Sequence, residues 1–178
     1  MISPSTRRGS FDITFLAVVG QVEVRGWLTA QGVADDGMAH SLNKGGSTRV
    51  EDVEVTFTTA NHSSSAADGT YLGEPCGLVV AADGMPVVYF AGDTNVFGDM
   101  ALIRRLYAPE VAVLPIGDHF TMGPREAALA AELVGAERVV PCHWGTFELL
   151  RGTPDALRPL LPDGIELVES EPGTTVSL

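Results

Sequence analysis

Apolar residues recur along this chain in two rhythms, and the changes between them divide it into elements. Residues 13–19 form an apolar run that predicts a buried strand, and residues 22–31 follow a helical spacing that ends near Gly32. The next stretch, residues 34–47, is polar and contains Gly37, Gly45 and Gly46, which predicts a surface loop. Val53, Val55 and Phe57 then alternate with Glu54, Thr56 and Thr58, the period of a half-buried strand. This strand runs straight into Asn61-His62-Ser63-Ser64-Ser65. Residues 76–82 and 86–91 are apolar runs joined by Asp83-Gly84, the signature of a tight hairpin, and the second arm ends at Gly92-Asp93-Thr94.

From there strands and helices alternate. A helix is predicted over residues 97–107, and the apolar strand 111–116 follows it into Gly117-Asp118-His119-Phe120. Gly123-Pro124-Arg125-Glu126 opens an Ala- and Leu-rich helix to about Val134, with Pro124 suited to the first helical turn. The strand 138–141 ends at Cys142-His143-Trp144-Gly145, Thr153-Pro154-Asp155 opens a short helix, and residues 165–168 form a last strand. The chain shows no internal repeat, so the pattern predicts the α/β class in a single domain over residues 1–178.

Composition narrows the partners. Eleven Lys and Arg against 23 Asp and Glu give a net charge of -12, the wrong sign for a phosphate backbone or an anionic membrane surface. A small molecule and a cation remain the expected partners. Cys76 and Cys142 are the two cysteines, too few and too far apart for a disulfide framework or a cysteine-built zinc knuckle, which fits a reducing cytoplasm. Arg7 and Arg8 precede the apolar run 15–19, but the run is short and leads into Gln21, Glu23 and Arg25, so it reads as a strand and not as a signal peptide.

Three predicted strands end in a group able to bind metal: His62, Asp93 and His143. Strand ends are common places for sites in α/β proteins, because the rigid sheet positions side chains that the loops leave open. Two imidazoles and a carboxylate suit a catalytic zinc, with water as the fourth ligand, and a similar set serves non-heme iron. The same residues also have plain structural readings. Each histidine could be a hydrogen-bonded loop residue, and Gly92-Asp93-Thr94 a turn in which Asp93 accepts backbone N–H groups.

Five strings occur in order: Asn61-His62-Ser63-Ser64, Tyr71-Leu72-Gly73-Glu74-Pro75, Ala91-Gly92-Asp93-Thr94, residues 114–124 (Leu-Pro-Ile-Gly-Asp-His-Phe-Thr-Met-Gly-Pro) and residues 141–147 (Pro-Cys-His-Trp-Gly-Thr-Phe). Together, and over nearly everything from about Trp27 onward, they resemble a family of metallo-β-lactamase-fold metal-dependent hydrolases, distant relatives of ascorbate-phosphate lactonases. The resemblance implies a four-layer αββα sandwich with a one- or two-metal site between the sheets. It implies His62 as a ligand of the first metal, Asp93 as the bridging carboxylate and His143 as a ligand of the second. His119 matches a residue beside the site, for substrate contact, proton transfer or a structural hydrogen bond. Tyr71 and Glu74 match positions that shape the pocket or pack in a turn.

The sequence departs from that family at its start. Relatives begin with a βββ segment ending in His-x-His-x-Asp-His, and no such motif stands in this chain. The expectation is an N-terminally truncated sandwich whose residues 1–12 are an altered or disordered start. Bare ladder edges and apolar faces would then favour association into a homo-oligomer. His40, the remaining histidine, is expected on the surface of the polar loop. Three ligands predict one weakly bound divalent ion, zinc first, with Mn, Fe and Ni accepted by the same donors. The predicted function is a hydrolase acting on an ester, lactone, amide or phosphoester of a small molecule. The competing reading is a catalytically inactive remnant or interaction module of the same fold. A nuclease is disfavoured by the charge of -12.

Overall fold

The computed structural model describes residues 17–33, 39–168 and 173–177. Two sheets are present among them. The smaller pairs β1 (Val18–Gln21) with β2 (Ala39–Leu42) in parallel, with α1 (Val22–Ala30) between them in sequence. The larger has seven strands in chain order: β3 (Ser47–Val50), β4 (Val53–Thr59), β5 (Cys76–Ala82), β6 (Val88–Phe90), β7 (Val111–Pro115), β8 (Arg138–Cys142) and β9 (Glu166–Leu167). Pairing from β3 to β6 is antiparallel, and pairing from β6 to β9 is parallel. The parallel connections carry α2 (Met100–Tyr107), α3 (Pro124–Val134) and α4 (Pro154–Leu157), as parallel pairing requires a crossover.

Those helices cover one face of the sheet. Val79, Tyr89, Ala112, Val139 and Leu167 stand in register across five neighbouring strands, and all five are buried. They join Met100 and Ile103 of α2 and Ala127, Ala131 and Val134 of α3 in the core. The alanines keep α3 slim, so its backbone lies close to the sheet. The next row on the other face, Leu78, Phe90, Val113 and Val140, is in register too but only partly covered. Local signals set the helix ends. Gly123 leads into Pro124 at the first helical position of α3, Gly135 closes it at φ 68°, and the Thr153 hydroxyl accepts the Ala156 N–H at 3.2 Å to start α4.

The expected hairpin is present, its turn closed by Met85 N–H to the Ala82 carbonyl at 3.1 Å. Two differences lie near the N-terminus. Residues 34–47 are not a uniform loop, because they include β2, whose ladder partner β1 supplies the pairing that polar composition conceals. His40 is accordingly a strand residue, half-buried, with Nδ1 3.2 Å from Thr48 Oγ1, and not a solvated loop histidine. β3 also goes beyond the sequence reading. Residues 1–12, and most of the strand expected over 13–19, lie outside the described residues.

Candidate metal centre

β4 and β6 are both antiparallel to β5, so they run in the same direction, and β7 and β8 run with them. The segments that follow these four strands therefore leave the sheet at one edge. They carry His62, Asp93, His119 and His143, so the topology gathers all four positions at the C-terminal ends of strands, where α/β sheets commonly place ligands.

Close packing of backbone holds these segments together. The buried Thr94 hydroxyl accepts the Asn61 N–H at 2.9 Å and donates to the Asn95 carbonyl at 2.9 Å, tying the His62 loop to the Asp93 turn. Met122 N–H donates to the Thr94 carbonyl at 3.1 Å, which fastens the His119 loop to the same turn. At the end of β7, a Cβ on Gly117 would collide with the His143 carbonyl, and one on Gly152 with the Ile116 carbonyl. Only glycine lets those backbones approach so closely.

Backbone strain is concentrated at the same edge. Five described non-glycine residues have positive φ, and Asp118, His119 and His143 are three of them, at 66°, 61° and 53°. A left-handed conformation costs a non-glycine residue on the order of 1 kcal/mol or more, and such strain clusters where side chains must be aimed.

Asp93 and His143 meet. His143 Nε2 lies 3.8 Å from Asp93 Oδ2, with the imidazole 25% exposed and the carboxylate 51% exposed. This is longer than a hydrogen bond. Two bonds of about 2.1 Å meeting at a tetrahedral angle set their ligand atoms about 3.4 Å apart, so the pair is slightly more open than a shared cation would hold it. His143 Nδ1 is buried and has no hydrogen-bond partner. Beside them the Cys142 thiol is pushed up to about 12 by burial and, after that, by the Asp93 carboxylate, which keeps it a neutral neighbour.

His62 stands outside this pair. Its Nδ1 lies 2.9 Å from the Ser63 carbonyl, which can only accept, so Nδ1 is the donor and Nε2 is the nitrogen left free for another partner. That is how a protein commonly fixes the tautomer of a metal-binding histidine, with the other nitrogen left for the ion. The ring is exposed, however, and among the described residues no three His, Cys, Asp or Glu side chains converge as a metal site would require. Asp93 and His143 are the two donors that meet, and His62 lies apart from them on the same edge. His119 is exposed, its ring edge-to-face with Phe120 at 4.4 Å. Tyr71 is exposed and bridges to Ser65, and Glu74 pairs with Lys44.

The sequence reading did not single out Lys44, Thr94, Gly117 or Gly152 as parts of this edge. Thr94 and Gly117 stood inside strings already noted, but their roles come from contacts between distant segments. Lys44 carried a signal in composition, being the one lysine in the chain.

Comparison with known proteins gives the class to which this seven-stranded mixed sheet, with its strand-end histidines and aspartate, belongs. Residues 4–144 match the family model of the Beta-lactamase superfamily domain. A UPF0173 metal-dependent hydrolase of Herpetosiphon aurantiacus is 48% identical over 144 residues, which cover 79% of this chain and 59% of that protein. One of Roseiflexus sp. is 39% identical over 170 residues, covering 92% of this chain and 69% of that protein. The solved structure of Igni18, a metallo hydrolase from Ignicoccus hospitalis, superposes with a TM-score of 0.77 at 35% identity, covering 90% of this chain and 67% of that one. The chain belongs to the metallo-β-lactamase superfamily, among the UPF0173 metal-dependent hydrolases. It spans 59% and 61% of the length of the Herpetosiphon aurantiacus and Solibacter usitatus relatives.

Proposed function

We propose that this chain acts as a metal-dependent hydrolase on a small molecule, with Asp93 and His143 as the pair that holds a divalent cation and His62 as the third donor. The observation that carries the reading is the 3.8 Å approach of His143 Nε2 to Asp93 Oδ2 at the strand-end edge. Zinc is the first expectation for an imidazole and carboxylate set, with Mn, Fe and Ni open to the same donors. When bound, such an ion supplies Lewis acidity and lowers the pKa of a coordinated water, the chemistry that opens an ester, lactone, amide or phosphoester.

The chain's own residues supply the rest. The Ser63 carbonyl orients His62, the Thr94 hydroxyl fixes the spacing between the His62 and Asp93 segments, and the Gly117 contact sets the height of His143. His119 would contact substrate or move a proton, a role that its exposure on the neighbouring loop supports. The net charge of -12 supports a small-molecule substrate over nucleic acid. Two free thiols support a reducing compartment, and no helix among the described residues is long and apolar enough to cross a membrane.

Titration of the metal-stripped chain with zinc tests the proposal, read by calorimetry and elemental analysis. The expected result is one equivalent per chain, with Asp93→Ala and His143→Ala each weakening binding by at least about tenfold, and slow turnover of a generic ester that the same variants abolish. Unchanged affinity in both variants would remove the site. A second reading, a catalytically silent module of the same fold, is favoured by the lack of a three-donor group among the described residues. Zinc binding at Asp93 and His143 without turnover of any ester or phosphodiester would select it.

A further inference from the structure

Lys44 is the one lysine among 178 residues, and it does not stand on open surface. Its side chain is 22% exposed, with Nζ 2.9 Å from Glu74 Oε2. Lys44 occupies a turn closed by Gly46 N–H to the Asn43 carbonyl at 2.8 Å, with Asn43 Oδ1 accepting the Lys44 N–H at 2.8 Å. Gly45 takes φ 82°, a left-handed position that suits glycine at the third place of such a turn. Gly45 N–H donates to the Phe57 carbonyl at 2.8 Å, and Phe57 N–H to the Gly46 carbonyl at 3.0 Å, so the turn is fastened to β4. The same strand then leads to His62. Between turn and loop lies a cavity of about 320 Å³, lined by Lys44, Ala60, Asn61, His62, Glu74 and Pro75.

We propose that this cavity binds the anionic group, a carboxylate or a phosphate, of a small-molecule substrate, and that the Lys44 ammonium is the group that contacts it. The inference rests on the reading of His62 as part of the metal centre, because an anion held at Lys44 then decides which end of the substrate faces Asp93 and His143. Three features support it. An ammonium has three donors and Glu74 takes one, which leaves donors for a ligand. Glu74 is 70% exposed, so its ion pair is screened by solvent and opens readily. The hollow, open to solvent, also has room for such a group, since small-molecule clefts begin at roughly 300 Å³. On a chain of net charge -12, an anion meets attraction at Lys44 by displacing the Glu74 carboxylate that now pairs with it.

The single lysine makes the test direct. Uniform 13C labelling leaves the ammonium and its donors unaltered and gives one lysine side-chain Hε–Cε resonance, which Lys44→Gln removes and so assigns. The full chain, stripped of metal by dialysis, is titrated at constant ionic strength with inorganic phosphate, with acetate and with chloride as control. The expected result is a saturable shift of the Lys44 signal by phosphate or acetate, at least about tenfold tighter than chloride, with the His62 ring signals moving at the same midpoint. Which anion saturates selects carboxylate or phosphate. Glu74→Gln should tighten binding by removing the competing carboxylate, and Lys44→Gln should abolish the His62 response. A linear shift shared with chloride, or a Lys44 response that His62 does not follow, would overturn the proposal. Since no metal is present, loss of zinc binding in the separate titration would end the metal reading and leave this result standing.

Discussion

The parallel and antiparallel halves of the seven-stranded sheet share a backbone ladder and differ in what lies over it. In the parallel half, Tyr89, Ala112, Leu114 and Val139 are fully buried beneath the helices. In the antiparallel half, β3 alternates exposed and half-buried positions, and α1, which precedes it, buries no residue. The cause is connection chemistry. A parallel pair needs a crossover that brings a helix back across the sheet, whereas a hairpin closes in a few residues and brings no cover. The rigid half carries Asp93 and His143, and the lighter half carries His62 and Lys44. The centre is therefore held between the helix-covered strands and an antiparallel side that is buried at the site end of β4 but open at β3, with Thr94 as a staple between them.

Core truncation should break the comparison most severely. Leu114→Ala removes a fully buried side chain from near the C-terminal end of β7 and should cost about 2–5 kcal/mol in chemical denaturation. Val55→Ala, at a half-buried position of β4, should cost roughly 1 kcal/mol or less. Equal losses would mean that the antiparallel half is as tightly packed as the parallel one.

The staple comes next. Thr94→Val keeps the volume but removes the acceptor for Asn61 N–H and the donor to the Asn95 carbonyl. Leaving such groups unpaired at a buried position should cost about 1–3 kcal/mol. Amide exchange should then quicken in residues 61–65 before it quickens in β7. Unchanged exchange in that loop would show that His62 is positioned by something other than Thr94.

The halves also differ in how readily the sequence revealed them. The runs at 111–116 and 138–141, and Gly123-Pro124 before an alanine-rich helix, announce buried strands and a helix start, because parallel strands buried under helices on one face and partly covered on the other read as apolar runs. β2 was concealed, since Ala39-His40-Ser41-Leu42 has no strong period and becomes a strand only through its pairing with β1. At the candidate centre, strand ends and family strings pointed to Asp93 and His143. They could not show that the His62 ring turns to its neighbour's carbonyl, which depends on local rotamer and loop geometry. Lys44 was missed for a similar reason, because its cavity is made by a glycine-bearing turn meeting a loop from another strand.

The smallest expected effect has the opposite sign. Gly26 sits in the middle of α1, and a Cβ built there would meet nothing within 4 Å. Glycine inside a helix costs about 0.5–1 kcal/mol relative to alanine, through the freedom it retains when unfolded, so Gly26→Ala should stabilise α1 by that amount. Because α1 buries no residue, it has little with which to couple that gain to the parallel core. Amide protection across residues 22–30 should therefore rise a few-fold, while the denaturation midpoint of the chain stays where it was. A rise in global stability equal to the local gain would show that α1 unfolds together with β7 and its helices, and the boundary drawn between the two halves would then be wrong.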